Sequence, residues 1–451
     1  MTGRRVVALA LALAACGRSE LEAPTVELLA GRARARPDAG RIDAGADAGV
    51  IDAGMPAGSC PDAVLAGAPA PISAYCSTRA YESAFTAPTA TALLWSVTLS
   101  GSTSPDDTVI LAPSGRAFVR VDPNETDTAW LPTRVVAIDP GGAVAFERDV
   151  DGVINGAPWL DAGGALGLLV VKPPARTMLA LDQAGATLRA VSFDEPLRGQ
   201  PAIGPDGATY FLVDDGTSPA RVLALSPTGE RLWTSSPLGQ SPRQVAMDRA
   251  GRVIVGSRKG PLDSTGSRVV VTALGGDGAI AWETEVTEHG HLIDGPSVGP
   301  DGASYTVIWS DGSTKTTLVV LEPTGATRRV VDVGAAPWGG GVTGLSVGGD
   351  GAAYVKAGQE LTAIDAAGSV RWSRFAHPNV LLGCTIDASG AVIVSSGKLE
   401  VLDPVTGAVR STYDGPPMQG SPIFAVGGAT LGDGAYYFTD FGKTLYAVGA
   451  P

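Results

Sequence analysis

Residues 200–213 read QPAIGPDGATYFLV, and after a polar loop residues 221–233 continue RVLALSPTGERLW. A short apolar stretch meets an Asp-Gly pair, and β-prone residues follow it. A second apolar stretch meets a Thr-Gly pair and is followed by a stretch that carries Trp233. Glycine turns between β-prone runs are typical of β-hairpins. The unit therefore predicts four antiparallel strands.

This unit recurs along the chain from about residue 93. The first turn recurs eight times, 39 to 51 residues apart, with Gly115, Gly164, Gly207, Gly251, Gly302, Gly351, Gly390 and Gly434. The second turn recurs seven times, with Gly142, Gly185, Gly229, Gly278, Gly325, Gly368 and Gly407. Four-stranded units of this length are the blades of β-propellers.

The fourth strand of the last unit is missing from its expected place after Tyr446. A matching sequence, LLWSVTL at residues 93–99, precedes the first unit. It carries Trp95 at the position that Trp233 has in the fourth strand of the unit at residues 200–233. A propeller can be closed in this way, by a strand from the other end of the chain. We therefore predict an all-β, eight-bladed β-propeller of four-stranded antiparallel blades over residues 93–451, whose last blade is closed by the N-terminal strand.

Several third strands resemble the pyrroloquinoline-quinone-type (PQQ-like) propeller repeat. They read VAID at residues 136–139, LALD at 179–182, TAID at 362–365 and EVLDPVTG at 400–407. The resemblance covers about residues 93–449 and implies the fold. Quinone enzymes with this repeat carry long inserted loops, a bound calcium, a catalytic Asp and often a vicinal disulfide, which find no match in this sequence. We therefore expect no catalytic residue, no metal and no cofactor.

The first residues have the features of an export signal. Arg4 and Arg5 precede an apolar run that is too short to span a membrane, and the run ends in Leu13-Ala14-Ala15-Cys16. This ending resembles the lipobox of bacterial lipoproteins. The resemblance implies a signal peptide over residues 1–15, lipid attachment at Cys16, and a place in the cell envelope, with Gly17 favouring the outer membrane.

Residues 16–59 contain a repeated Asp-Ala-Gly pattern, in PDAG, IDAG, ADAG and IDAG between residues 37 and 54. Such a segment cannot bury enough apolar surface to fold, and the repeated Asp keeps it extended. We predict a flexible lipidated tether, with calcium binding by the Asp residues as the alternative. Tethers of this kind resemble those of myxobacterial lipoproteins.

The cysteines agree with an exported protein. Cys60 and Cys76 lie close together in a segment, residues 60–92, without a strand or helix pattern, and we expect them to form a disulfide. Cys384 is then left over in an apolar stretch. It is interpreted as a buried, inert thiol, and the alternative is a reactive one.

The net charge of −13 comes without a basic cluster, which excludes a nucleic-acid partner. In a propeller both glycine turns fall on one face, and the longer, more varied loops fall on the other. Binding residues concentrate on such loops. We therefore predict a partner site there with Trp130, His289, His291 and Trp338.

Two of these predictions have alternatives. His289 and His291, with Glu285, Glu288 and Asp294 nearby, could instead hold a metal ion, since a His-x-His pair on a strand points both rings one way. Trp130 and Trp338 could equally pack against their own blades.

Taken together, the sequence predicts a monomeric, non-catalytic, lipid-anchored propeller that binds an envelope protein or glycan. In lipobox, size and blade number it resembles the propeller lipoproteins of outer-membrane protein assembly, but the long tether and the Cys60–Cys76 segment depart from that pattern. The alternative is an oxidoreductase that uses a quinone or a metal in the central channel.

Overall fold

The structure, a computed structural model, describes residues 83, 85–88, 92–101, 109–122, 132–161, 163–260, 267–287, 290–310, 315–335, 344–375, 384–395, 398–413, 429–432, 434–439 and 443–450. Every regular element in these ranges is a β-strand, and the strands form eight antiparallel sheets. Within the same ranges no helix has the length and apolar character needed to cross a bilayer.

The sheets are the blades of the propeller, named A to H in chain order. The first strand, β1 (Ala92–Thr98), precedes them. Blade A contains β2 (Ile110–Leu111), β3 (Ala117–Val121), β4 (Arg134–Ile138) and β5 (Val144–Asp149). Blade B contains β6 (Val153–Ile154), β7 (Trp159–Leu160), β8 (Leu166–Lys172), β9 (Ala175–Leu181) and β10 (Thr187–Phe193). Blade C contains β11 (Leu197–Ile203), β12 (Thr209–Val213), β13 (Arg221–Leu225) and β14 (Arg231–Thr234).

The second half of the ring repeats the same arrangement. Blade D contains β15 (Val245–Met247), β16 (Val253–Lys259), β17 (Arg268–Leu274) and β18 (Ile280–Thr287). Blade E contains β19 (Gly290–Val298), β20 (Ser304–Ser310), β21 (Lys315–Leu321) and β22 (Thr327–Ala335). Blade F contains β23 (Gly344–Val347), β24 (Ala353–Ala357), β25 (Glu360–Ile364) and β26 (Val370–Phe375). Blade G contains β27 (Thr385–Ile386), β28 (Val392–Ser395), β29 (Leu399–Leu402) and β30 (Val409–Tyr413). Blade H contains β31 (Thr430–Leu431), β32 (Ala435–Thr439) and β33 (Thr444–Gly449).

Blade H is completed by the N-terminal strand, as the sequence predicts. Its strand order is β1-β33-β32-β31, and β1 pairs antiparallel with β33, with Leu93 opposite Val448 and Val97 opposite Leu445. The two ends of the repeat region are thus hydrogen-bonded to each other. The prediction of eight four-stranded blades with this closure is confirmed.

Glycine is required at the repeated turns because the backbone there is left-handed. Gly207 in a first turn has φ +79°, and Gly229 in a second turn has φ +87°. Each donates its N–H to the carbonyl three residues earlier, of Gly204 at 2.9 Å and of Ser226 at 2.8 Å. A side chain at this φ would be strained, so the repeat retains glycine.

Fourth-strand tryptophans dock each blade onto the next. The Trp95 indole lies against Gly142 in the second turn of blade A, where an added Cβ would be 2.9 Å from the ring. Trp95 Nε1 donates to the Pro140 carbonyl at 2.7 Å. The same contact with a turn carbonyl is made by Trp233, Trp282 and Trp372. The sequence prediction that these tryptophans pack between blades is confirmed.

The core lies between neighbouring blades, so inner strands bury both of their faces. In β8, Leu168 packs toward blade A, whereas the next residue, Leu169, packs toward blade C. Strands covered on both sides are apolar throughout instead of alternating. This explains continuous apolar sequences such as LGLLVV at residues 166–171.

Blade B departs from the four-strand pattern because its first strand is interrupted. Gly156 has φ +82°, and Pro158 cannot donate a backbone hydrogen bond. The chain between them leaves the sheet, and β6 and β7 pair separately with β8. The Asn155 side chain there accepts a hydrogen bond from Gly199 N of blade C at 2.9 Å.

The residues just before β1 also contact the propeller. This linker segment (Ser83 and residues 85–88) lies beside β27 and the first turn of blade G. Ser83 N donates to the Ile386 carbonyl at 2.7 Å, and Ala87 N donates to the Asp387 carboxylate at 2.7 Å. Ser83 is fully buried. The fold therefore holds the chain upstream of the closing strand.

Candidate functional site

The two faces of the propeller differ in chemistry. The tight turns after the first strand of each blade, and after the third strand of blades A to G, lie on one face, called the turn face. The connections after the second and fourth strands lie on the other, called the loop face. On the turn face, Asp carboxylates cap the turns: Asp182 Oδ1, for example, accepts from Ala184 N and Ala186 N at 2.9 and 2.8 Å. These repeated contacts build the turns themselves.

Most residues predicted for function lie outside the described residues. These are Trp130, His289 and Trp338 of the predicted partner site, the lipidation residue Cys16, and the disulfide pair Cys60 and Cys76. His291 is described. It lies near the start of β19, the innermost strand of blade E, at the end that meets the loop face.

Two of the described residues lie close to the partly exposed His291 ring. It stacks on Trp309 of β20, with ring centroids 5.2 Å apart and an interplanar angle of 19°. Its Nδ1 lies 3.2 Å from Arg258 Nη1. A guanidinium only donates hydrogen bonds, so Nδ1 is the acceptor and the neutral ring carries its hydrogen on Nε2. Three residues from two blades therefore form one cluster.

Arg258 enters the cluster from β16 of blade D and is only 7% exposed. Its Nη2 donates to Ser267 Oγ at 2.8 Å, while its Nε is buried without a hydrogen-bond partner. Its backbone pairs with Gln240, which extends the inner edge of blade D. We refer to Arg258, Ser267, His291 and Trp309 as the D–E cluster.

Other charged residues near the D–E cluster have partners of opposite charge. Lys259 Nζ contacts Glu283 at 2.7 Å, and Arg268 Nη1 contacts Glu285 at 3.1 Å. Glu285, considered as a metal ligand with His289 and His291, is thus engaged by Arg268. Within the described part of the chain, no group of three or more His, Cys, Asp or Glu residues could hold a metal ion.

Asp294, the other residue of that metal alternative, joins blades E and F. Its carboxylate accepts from Gly295 N at 2.7 Å and from Leu345 N at 2.8 Å. The residue keeps some solvent contact but lies deep within the protein. Burial raises the pKa of Asp294 to about 6, although the two N–H donors and the charge of Arg243 lower it.

Two further reactive groups lie in the seam between blades F and G. Burial lowers the pKa of Lys356 in β24 to about 8 and raises the pKa of the Cys384 thiol to about 12. Cys384 is free and buried, as predicted. A thiol with so high a pKa carries almost no thiolate at neutral pH, which agrees with the inert interpretation.

Polar groups on the innermost strands are engaged in hydrogen bonds between blades. They include Gln244 Nε2 to Pro296 O, Ser346 Oγ to Cys384 O, Thr385 Oγ1 to Ala429 O and Thr430 Oγ1 to Val109 O. A quinone held with a metal ion needs converging oxygen ligands and free polar donors at the channel. The described inner strands do not fit that requirement.

No protein-family model and no curated protein matches this chain. Among solved structures, a quinohemoprotein alcohol dehydrogenase, ADHIIG, from Pseudomonas putida HK5 is similar, with 13% identity over 87% of this chain and 81% of that chain and a TM-score of 0.56. The Dos1 propeller has 10% identity, coverages of 67% and 77%, and a TM-score of 0.44. Virginiamycin B lyase from Staphylococcus aureus has 14% identity, coverages of 65% and 94%, and a TM-score of 0.41. At these identities the likeness to the dehydrogenase shows a shared propeller fold and says nothing of chemistry.

Proposed function

We propose that this chain is a lipid-anchored, non-catalytic binding protein of the bacterial envelope, and that its loop face holds a protein or glycan partner. The D–E cluster carries the proposal. It places a partly exposed histidine on a tryptophan, beside a buried arginine, at the end of the blades where connections vary. These side chains form no turn and no Trp–Gly docking contact, so blade construction does not account for them.

The cellular localisation of the protein is inferred from its N-terminal sequence. The basic residues Arg4 and Arg5, the apolar run and Cys16 support lipid attachment, and the Asp-Ala-Gly tether supplies length between the anchor and the fold. The linker segment joins the propeller beside β27 and the first turn of blade G. The loop face lies at the opposite end of the blades, which supports its role as the face open to a partner.

The anchor is tested by replacing Cys16 with Ser and fractionating the producing cells. The wild-type protein should sediment with membranes and release only with detergent, whereas Cys16→Ser should be found in the soluble fraction. Membrane sedimentation of the Ser variant would contradict lipid attachment at Cys16.

The binding role is tested by cross-linking the anchored protein in its own envelope and quantifying what co-purifies. Wild type should enrich one partner reproducibly. His291→Ala should reduce that recovery about tenfold, a typical loss for a contact residue in an interface. Leu188→Ser, a change at a 61%-exposed side chain on the outer strand β10, serves as the control and should leave recovery unchanged. Equal recovery by both variants would refute the assignment to this part of the loop face.

The alternative function is a quinone- or metal-dependent oxidoreductase, the class to which the quinohemoprotein alcohol dehydrogenase of similar fold belongs. It is separated from the binding role by adding the quinone and calcium to purified protein. A stoichiometric, saturable change in the quinone absorbance, followed by dye reduction with alcohols, would favour the enzyme. We expect neither.

A further inference from the structure

Arg258 is a buried cation whose described partners are all neutral. Its guanidinium contacts the imidazole Nδ1 of His291 and the hydroxyl of Ser267, and its Nε has no partner. No carboxylate of the described residues lies within ion-pair distance of it. A guanidinium has five N–H donors, and these contacts use two of them.

Such an arrangement is costly for the free protein. Removing a charge from water is compensated in folded proteins by a counter-charge or a full set of hydrogen bonds. Two arginines near the loop-face ends of other strands have such a counter-charge. Arg268 pairs with Glu285, and Arg374 pairs with the buried Glu400. Arg258 has no such counter-charge among the described residues. It is buried, so little solvent is available to stabilise its charge.

We infer that Arg258 is the recognition residue for a carboxylate group carried by the ligand of the loop face, an inference that rests on the proposed function. The planar guanidinium fork matches the two oxygens of a carboxylate. The partly exposed His291 and Trp309 rings beside it mark the side from which the ligand approaches. The carboxylate supplies the charge that the D–E cluster lacks, and Ser267 and His291 hold the guanidinium in place for it.

Two sources carry this group, an acidic sugar and an acidic amino-acid side chain. The test therefore measures thermal unfolding of the full chain with glucuronate and with the α-methylamide of N-acetylglutamate as separate probes. Glucose and the α-methylamide of N-acetylglutamine serve as uncharged counterparts, at constant ionic strength. A ligand at ten times its Kd should raise Tm by about 2 °C in a protein of this size. The more effective carboxylate identifies the source, and the uncharged counterparts should have no effect.

Arg258→Met tests the residue itself. It removes the unpaired charge and keeps most of the side-chain volume, so Tm without ligand should be equal to or above that of wild type, and the carboxylate effect should be lost. Arg258→Gln provides a second, polar variant if the Met variant does not fold. Arg268→Met is the matched control, because that arginine already has a carboxylate partner, and it should keep the full carboxylate effect.

The inference is overturned if neither carboxylate raises Tm, or if Arg258→Met and wild type respond equally. That result would not refute the proposed binding function, which the cross-linking experiment tests separately, because a partner can still be captured through other loop-face contacts. Failure of wild type to capture any partner, with the carboxylate effect intact, would instead refute the proposed function.

Discussion

Replacing Trp95 with Ala tests the closure of the ring most directly. The indole is partly buried against the core shared by blades A, G and H, lies 5.9 Å from the Tyr437 ring, and donates to the Pro140 carbonyl. Losing about 100 Å² of buried apolar surface costs about 2.5 kcal/mol. Losing the hydrogen bond costs about 1 kcal/mol more. The expected loss of unfolding free energy is thus about 3.5 kcal/mol, in the lower half of the range for buried tryptophans because Trp95 keeps some exposure.

The measurement is urea unfolding, followed by far-UV circular dichroism and by fluorescence. Trp282→Ala is the matched control, because Trp282 is also partly buried and also donates to a proline carbonyl, that of Pro323 at 2.9 Å. Both variants should lose similar stability. A loss below about 1 kcal/mol for Trp95→Ala, beside a full loss for Trp282→Ala, would show that β1 does not dock like an internal fourth strand. Deleting residues 93–99 should be more severe still, since β33 would keep an open edge.

Three further outcomes follow from the structure. The raised pKa of Asp294, about 6, means that its stabilising contribution is present below the ordinary Asp pKa and is lost as pH rises through 6. As pH rises from 4 to 7.5, the free energy of unfolding of Asp294→Asn in urea should therefore increase by up to about 3 kcal/mol relative to that of wild type. Parallel pH profiles of the two proteins would contradict this. In the same assay, Gly278→Ala should lower the free energy of unfolding by about 3 kcal/mol or more, because the added Cβ would lie 2.5 Å from Trp233. Gly251 has a similar φ but open space around it, so Gly251→Ala should lower the free energy of unfolding by only about 1–2 kcal/mol. Cys384 should resist a thiol reagent at pH 8 until the protein is unfolded, as peptide mass spectrometry can show, and rapid labelling of the native protein would refute its burial.

The sequence was sufficient for the blades because each repeated feature has a local cause. Gly207 and Gly229 mark turns that need a left-handed residue, and Trp95 and Trp233 mark fourth strands. Eight first turns but only seven second turns, together with one extra fourth-strand sequence at residues 93–99, are enough to predict the pairing of β1 with β33. The broken first strand of blade B could have been suspected from Gly156 and Pro158, which stand together in an otherwise regular repeat.

The D–E cluster could not be predicted in the same way. The sequence marks His291 as half of a His-x-His pair, but Arg258 and Ser267 of the same cluster come from another blade, and no periodicity links them to it. Lys356 gave no signal either, because one lysine in a β-strand sequence is usually exposed. Contacts between blades depend on how the ring closes, and this information is not local in sequence.

The attachment of the linker segment to blade G has a mechanical consequence. A force that pulls on the N-terminal chain reaches Ser83 first, which is bonded to Ile386, and then Ala87, which is bonded to Asp387. Only after these contacts break can the load reach β1 and the closing sheet of blade H. The pull thus acts first on blade G and only then on blade H, and the ring cannot be opened at its closing sheet while blade G still holds the chain.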